Sequence, residues 1–122
     1  MPAIPPFVLK KLYVEDSLRA EGNDFALDLR NSIAPASIVT FTGLDVDGQS
    51  VSSSQITIIP PSGALRTASD VSAEAPLPFP AGATITLRIT GQALDPGPHE
   101  LSIHVVVQDV GPLDLPISDV LA

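Results

Sequence analysis

Thr84-Ile85-Thr86-Leu87-Arg88-Ile89-Thr90 is the stretch on which the fold turns: Ile85, Leu87 and Ile89 recur at every second position, and threonines and an arginine fill the others. Successive side chains of a strand point to opposite faces, so this alternation predicts a half-buried β-strand with one apolar face. Working outward, residues 24–30 repeat the pattern with Phe25, Leu27 and Leu29. Residues 99–108 set Leu101, Ile103, Val105 and Val107 against Glu100, Ser102, His104, Val106 and Gln108. Residues 113–118 do likewise with Leu113, Leu115 and Ile117, and Pro116 predicts an edge strand because proline cannot donate to a ladder.

Less regular strands are expected over residues 8–14, 38–46 and 56–59, which brings the total to seven or eight. In the second of these, strict alternation puts Val39 and Phe41 on one face and Ile38 and Leu44 on the other, with Gly43 suited to a bulge. Asp47-Gly48 suits a tight hairpin, Asp95-Pro96-Gly97-Pro98 must turn, and Val110-Gly111-Pro112 joins two antiparallel strands. Residues 64–75 are read as a loop. Thirteen prolines and eight glycines leave few runs long enough for helices. The fold class expected is all-β: an antiparallel, immunoglobulin-like β-sandwich. Its core is expected to hold Phe25, Leu27, Leu29, Ile85, Leu87, Ile89, Leu101, Ile103, Val105, Leu113 and Leu115.

A chain of 122 residues fits one domain over residues 1–122, with residues 1–6 read as a loose N-terminal arm. Six Lys and Arg against fourteen Asp and Glu give a net charge of −8, which repels nucleic acid and anionic membranes. Zero cysteines exclude disulfides and thiolate chemistry and suit a reducing compartment. Met1-Pro2-Ala3-Ile4-Pro5-Pro6 lacks the parts of a signal peptide, so a cytoplasmic location away from the membrane is expected. Charged residues make up 16% of the chain, against about 25% in ordinary domains. A surface so short of charge, with Val39, Phe41 and Val106 as candidate exposed apolar residues, points to a protein partner.

Catalytic chemistry is hard to place. His99 and His104 are an odd number of residues apart, so they fall on opposite faces of one strand and should not share a metal. His99 is expected to hydrogen-bond at a turn and His104 to lie on the outer face. Asp45, Asp47 and Gly48 resemble part of a calcium loop, but Gly43 and Ser54 stand where its first and last acidic ligands belong. Glu15, Asp16, Asp24, Asp28 and Glu100 could supply a carboxylate pair for glycoside hydrolysis, yet no spacing selects two of them. Tyr13 offers too little aromatic surface for a sugar platform, and residues 52–54 read as a solvated hairpin flank. No catalytic, cofactor-binding or metal residue is assigned in this chain.

The segments Lys11-Leu12-Tyr13-Val14-Glu15-Asp16-Ser17-Leu18-Arg19, Phe25-Ala26-Leu27-Asp28-Leu29-Arg30-Asn31-Ser32-Ile33-Ala34-Pro35 and Leu44-Asp45-Val46-Asp47-Gly48 resemble the small β subunit of bacterial C-glycoside deglycosidases. So do Ile85-Thr86-Leu87-Arg88-Ile89-Thr90-Gly91, Leu94-Asp95-Pro96-Gly97-Pro98-His99-Glu100-Leu101 and Gly111-Pro112-Leu113-Asp114-Leu115-Pro116-Ile117-Ser118-Asp119. The resemblance implies a lyase-type, two-component enzyme. Its larger barrel α subunit, carrying a divalent metal such as manganese, cleaves the carbon–carbon bond of oxidised (3-oxo) C-glycosides with aromatic aglycones such as flavonoids. The small chain is then an accessory β subunit of a hetero-oligomer, inactive alone. The competing reading is a stand-alone immunoglobulin-like binding or structural module.

Asn31, Ser32, Ile33 and Pro35 are the expected contacts with the barrel subunit, because they follow a regular strand and set an isoleucine within a polar turn. Alternatively, Asn31 and Ser32 hydrogen-bond the turn and Ile33 caps the core.

Overall fold

In a computed structural model, which describes residues 10–91 and 93–121, the alternating segments become strands of two packed antiparallel sheets. Along the chain they are β1 (Arg19–Glu21), β2 (Asp24–Arg30), β3 (Ala36–Val46), β4 (Gln49–Val51) and β5 (Ile56–Ile59). There follow β6 (Arg66–Thr67), β7 (Leu77–Phe79), β8 (Thr84–Ile89), β9 (Gly97–Val107) and β10 (Gly111–Leu121). The first sheet has the order β1-β2-β8-β5-β6; the second runs β10-β9-β3-β4, with β7 paired to the start of β3. This is the expected β-sandwich. The expected arm over residues 1–6 lies outside the described residues.

The alternation predicts burial well. Phe25, Leu27, Ile85, Leu87 and Ile89 of the first sheet face Leu44, Leu101, Ile103 and Leu115 of the second, all buried. Each such side chain stabilises the fold by about 1.5–3 kcal/mol through removal from water. Val105 and Leu113 depart from the expected core: they pack against it but remain partly exposed, because they lie where the sheets part at one end.

Strand β3 corrects the assignment of faces. Ile38, Phe41, Leu44 and Val46 are all buried, because the register with β9 shifts between Ile38 and Thr40 and again between Phe41 and Gly43. Each extra residue reverses the alternation, so side chains that strict counting puts on opposite faces share one. The second shift falls at Gly43 as expected, where a Cβ would stand 3.2 Å from the Val51 carbonyl oxygen.

The N-terminal strand expected over residues 8–14 is also corrected; Val8 and Leu9 lie outside the described residues. Lys10–Leu12 forms a 3-10 turn, and Tyr13 makes a lone bridge to Leu29. The Tyr13 hydroxyl donates to the Asp119 carboxylate on β10, so this segment ties the two sheets together instead of extending either one. The loop expected over residues 64–75 contains β6 and a 3-10 turn at Ala68–Asp70, and it buries Ala68 and Val71. Arg66 stitches it by donating to the carbonyls of Pro76 at 3.0 Å and Ala75 at 2.6 Å.

The hairpins follow the turn chemistry. Asp47 and Gly48 take φ 50° and 86° and join β3 to β4, with Val46 opposite Gln49. Both positions need positive φ, which Asp-Gly tolerates. Strands β9 and β10 pair along their whole lengths, from Gly97 opposite Leu121 to Val107 opposite Gly111. The turn expected at Asp95-Pro96-Gly97-Pro98 therefore ends earlier, and Gly97 and Pro98 already belong to the strand. Strand β10 is an edge, as Pro116 requires.

Candidate functional site

The turn after β2 is built around Asn31, which is only 3% exposed. Its amide nitrogen donates to the carbonyls of Ala34 at 2.6 Å and Phe79 at 2.7 Å. Its side-chain oxygen accepts from the backbone N–H of Ile33 at 3.1 Å and Ala34 at 3.3 Å. With all its hydrogen-bonding capacity spent inward, Asn31 positions the turn and does not itself present a contact surface. Ser32, Ile33 and Pro35 do face solvent, and Ile33 is 42% exposed. The reading in which Ile33 caps the core therefore does not hold.

Beside this turn the sheets part over an apolar groove of about 140 Å³. Ile33, Pro35, Phe79, Val105, Val110 and Leu113 are among its walls. The partly exposed Val105 and Leu113 thus sit next to the exposed Ile33, which joins the expected contact turn to a recess in the core.

At another part of the sandwich the N-terminal segment, the β3–β4 hairpin and the paired ends of β9 and β10 enclose an open cleft of about 780 Å³. Glu15, Asp16 and Glu100 of the expected carboxylate candidates border it, with Asp47, His99 and Asp119. Asp24 and Asp28 do not: they belong to the first sheet, where Asp24 accepts from the Gly91 N–H at 3.0 Å and Asp28 pairs with Arg19 at 3.3 Å. In the cleft, burial opposes ionisation of Asp119, but hydrogen bonds led by that from Tyr13 outweigh it and hold the carboxyl below its ordinary value. The Tyr13 hydroxyl is pushed up to about 12, by burial first and then by Asp119, and stays protonated as a donor.

The histidines stand on opposite faces, as their spacing predicts. His99 points toward the cleft, with Nδ1 2.6 Å from Asp47 Oδ2 and Nε2 2.6 Å from the Asp95 carbonyl oxygen. His104 lies on the outer face of the second sheet, between Asp114 on β10 at 2.6 Å and Asp45 on β3 at 2.9 Å. Both nitrogens of each ring are engaged with oxygens of this chain. Among the described residues, no group of three or more His, Cys, Asp or Glu is arranged to hold a metal ion. Sequence reasoning missed Asp114 and Asp119; the β9–β10 hairpin register, which sets Asp114 opposite His104 and Asp119 opposite His99, was the signal that could have found them.

The fold and the turn together define an antiparallel β-sandwich domain with an apolar recess beside an exposed turn. A family model described as hydroxymethylglutaryl-CoA reductase, N-terminal domain, matches residues 8–122, and the chain belongs to that family. None of the curated proteins compared with the chain matches it. A solved structure of a family 123 glycoside hydrolase from Clostridium perfringens, described in connection with glycolipid glycan hydrolysis, is similar at 18% identity with a TM-score of 0.36. The similarity covers 80% of this chain and 20% of that one, so the chain spans about a fifth of its length. Among the described residues no helix is long and apolar enough to cross a membrane.

Proposed function

We propose that the chain is the accessory β subunit of a two-component, cytoplasmic C-glycoside deglycosidase. In this reading a larger, metal-dependent barrel subunit cleaves the carbon–carbon bond of 3-oxo C-glycosides. The observation that carries the proposal is the joining of the exposed Ile33 turn to the apolar groove, a projecting apolar residue beside a recess suited to a protein contact. The histidines agree with it, since both rings are tied to carboxylates of this chain as a structural role requires. The divalent metal belongs to that partner in this reading, and none is assigned to this chain.

Co-expression with a barrel subunit, followed by co-purification and an assay on a 3-oxo C-glycoside, tests the proposal. The pair is expected to be active and the separate chains inactive. Ile33→Asp is expected to abolish co-purification with little change in melting temperature, because the residue is 42% exposed and an aspartate carboxylate there can reach water. A barrel subunit fully active alone, or normal association of the variant, would count against it.

The family match favours a second reading, in which the domain serves beside the catalytic part of a hydroxymethylglutaryl-CoA reductase. Assaying the same preparations for reduction of hydroxymethylglutaryl-CoA separates the two.

A further inference from the structure

All four ring nitrogens of the two histidines face oxygens that accept hydrogen bonds: three carboxylates and the carbonyl of Asp95. A neutral imidazole carries one N–H and one lone pair, so it can satisfy one such oxygen and must turn its lone pair on the other. The imidazolium ion donates to both. The strands of the second sheet contain no Lys or Arg, since all six cations of the sequence, Lys10, Lys11, Arg19, Arg30, Arg66 and Arg88, lie elsewhere. Positive charge on this sheet can come only from His99 and His104.

We propose that His99 and His104 form a two-point, proton-operated lock on the second sheet. Doubly protonated, His104 fastens β10 and β3 to β9, and His99 fastens the β3–β4 hairpin to the start of β9; loss of the protons releases both. His104 is faced by Asp45 from β3 and Asp114 from β10, with Glu100 further along its own strand, while β4 contributes only Ser50, which donates to Asp45 at 3.1 Å. His99 is faced by Asp47, Asp95, Glu100 and Asp119, and across the cleft by Glu15 and Asp16. Among the described residues that line the cleft, none is Lys or Arg. Because Leu113 and Leu115 of β10 line the apolar groove, release of this strand loosens one wall of it.

Hydrogen bonds to Asp114 and then Asp45 raise His104 above its ordinary 6.5, and the Asp95 carbonyl and then Asp47 raise His99. A histidine raised in the folded state contributes stability that is fully present below 6.5 and is lost as pH rises through the folded value.

The test uses the full chain with nitrogen-15-labelled histidine. Ring nitrogens are followed by long-range proton–nitrogen NMR, and the urea midpoint is measured alongside, from about pH 5 to about pH 9. Both nitrogens of both rings are expected to be protonated at 6.5, the ordinary midpoint, and the urea midpoint should fall across the interval in which the rings titrate. His104→Gln is expected to remove the share of that fall due to His104 and to leave the titration of His99 in place. A neutral ring at 6.5, or a urea midpoint that stays flat while the rings lose their protons, would overturn the proposal. Should the variant fail to fold, the parent titration decides alone.

Discussion

At Asn31 one amide group closes a turn by donating to the carbonyls of Ala34 and Phe79. Removing a buried side chain that satisfies such groups costs about 1–3 kcal/mol. Asn31→Ala is therefore expected to lower stability by about that amount in urea unfolding. A change near zero would mean that water replaces the amide. The sequence suggested a hydrogen-bonding role for Asn31 as one of two readings, and burial decides between them: an exposed asparagine could have met a partner, but this one is turned inward. His104 teaches a related lesson. Its place on the outer face was legible from the alternation, whereas its carboxylate partners, 10 and 59 residues away, depend on which strands lie alongside.

The edge strand β10 shows what the elements contribute. An exposed edge with free N–H groups invites another chain to pair with it. Pro112 and Pro116 share one parity along β10, and proline fits only where the N–H would point away from β9. The two residues therefore remove donors from the outward edge of the strand. Replacing both with threonine restores them, and the double variant is expected to self-associate with rising concentration beyond the parent, as read by light scattering. Unchanged scattering would show that the edge is protected by something else. Elements of two or three residues, such as β1, β4, β6 and β7, were not legible in the sequence, because alternation needs more residues than they contain. Their pairing is supplied by longer neighbours.

For the molecule as a whole, the carboxylates complete the pH dependence that the histidines begin. Asp45 is held low by hydrogen bonds from His104 and then Ser50, and Asp47 by the Glu100 N–H and then His99. A carboxyl depressed in the folded state contributes stability present above its ordinary 3.8 and lost as pH falls through the folded value. Urea midpoints are expected to be highest between 3.8 and 6.5 and to decline on both sides. A midpoint still climbing above 6.5 would contradict this balance. The sequence by itself determined the all-β class, the apolar face of each long strand, the Asp-Gly hairpin and the edge position of β10. These follow from strand geometry and turn chemistry, which act over a few residues. Only the tertiary structure decided that Ile38 and Phe41 share a face, that His104 lies between Asp45 and Asp114, and that Ile33 adjoins a groove. Those depend on register, which bulges and turn lengths accumulate along the chain, and on the packing of one sheet over the other.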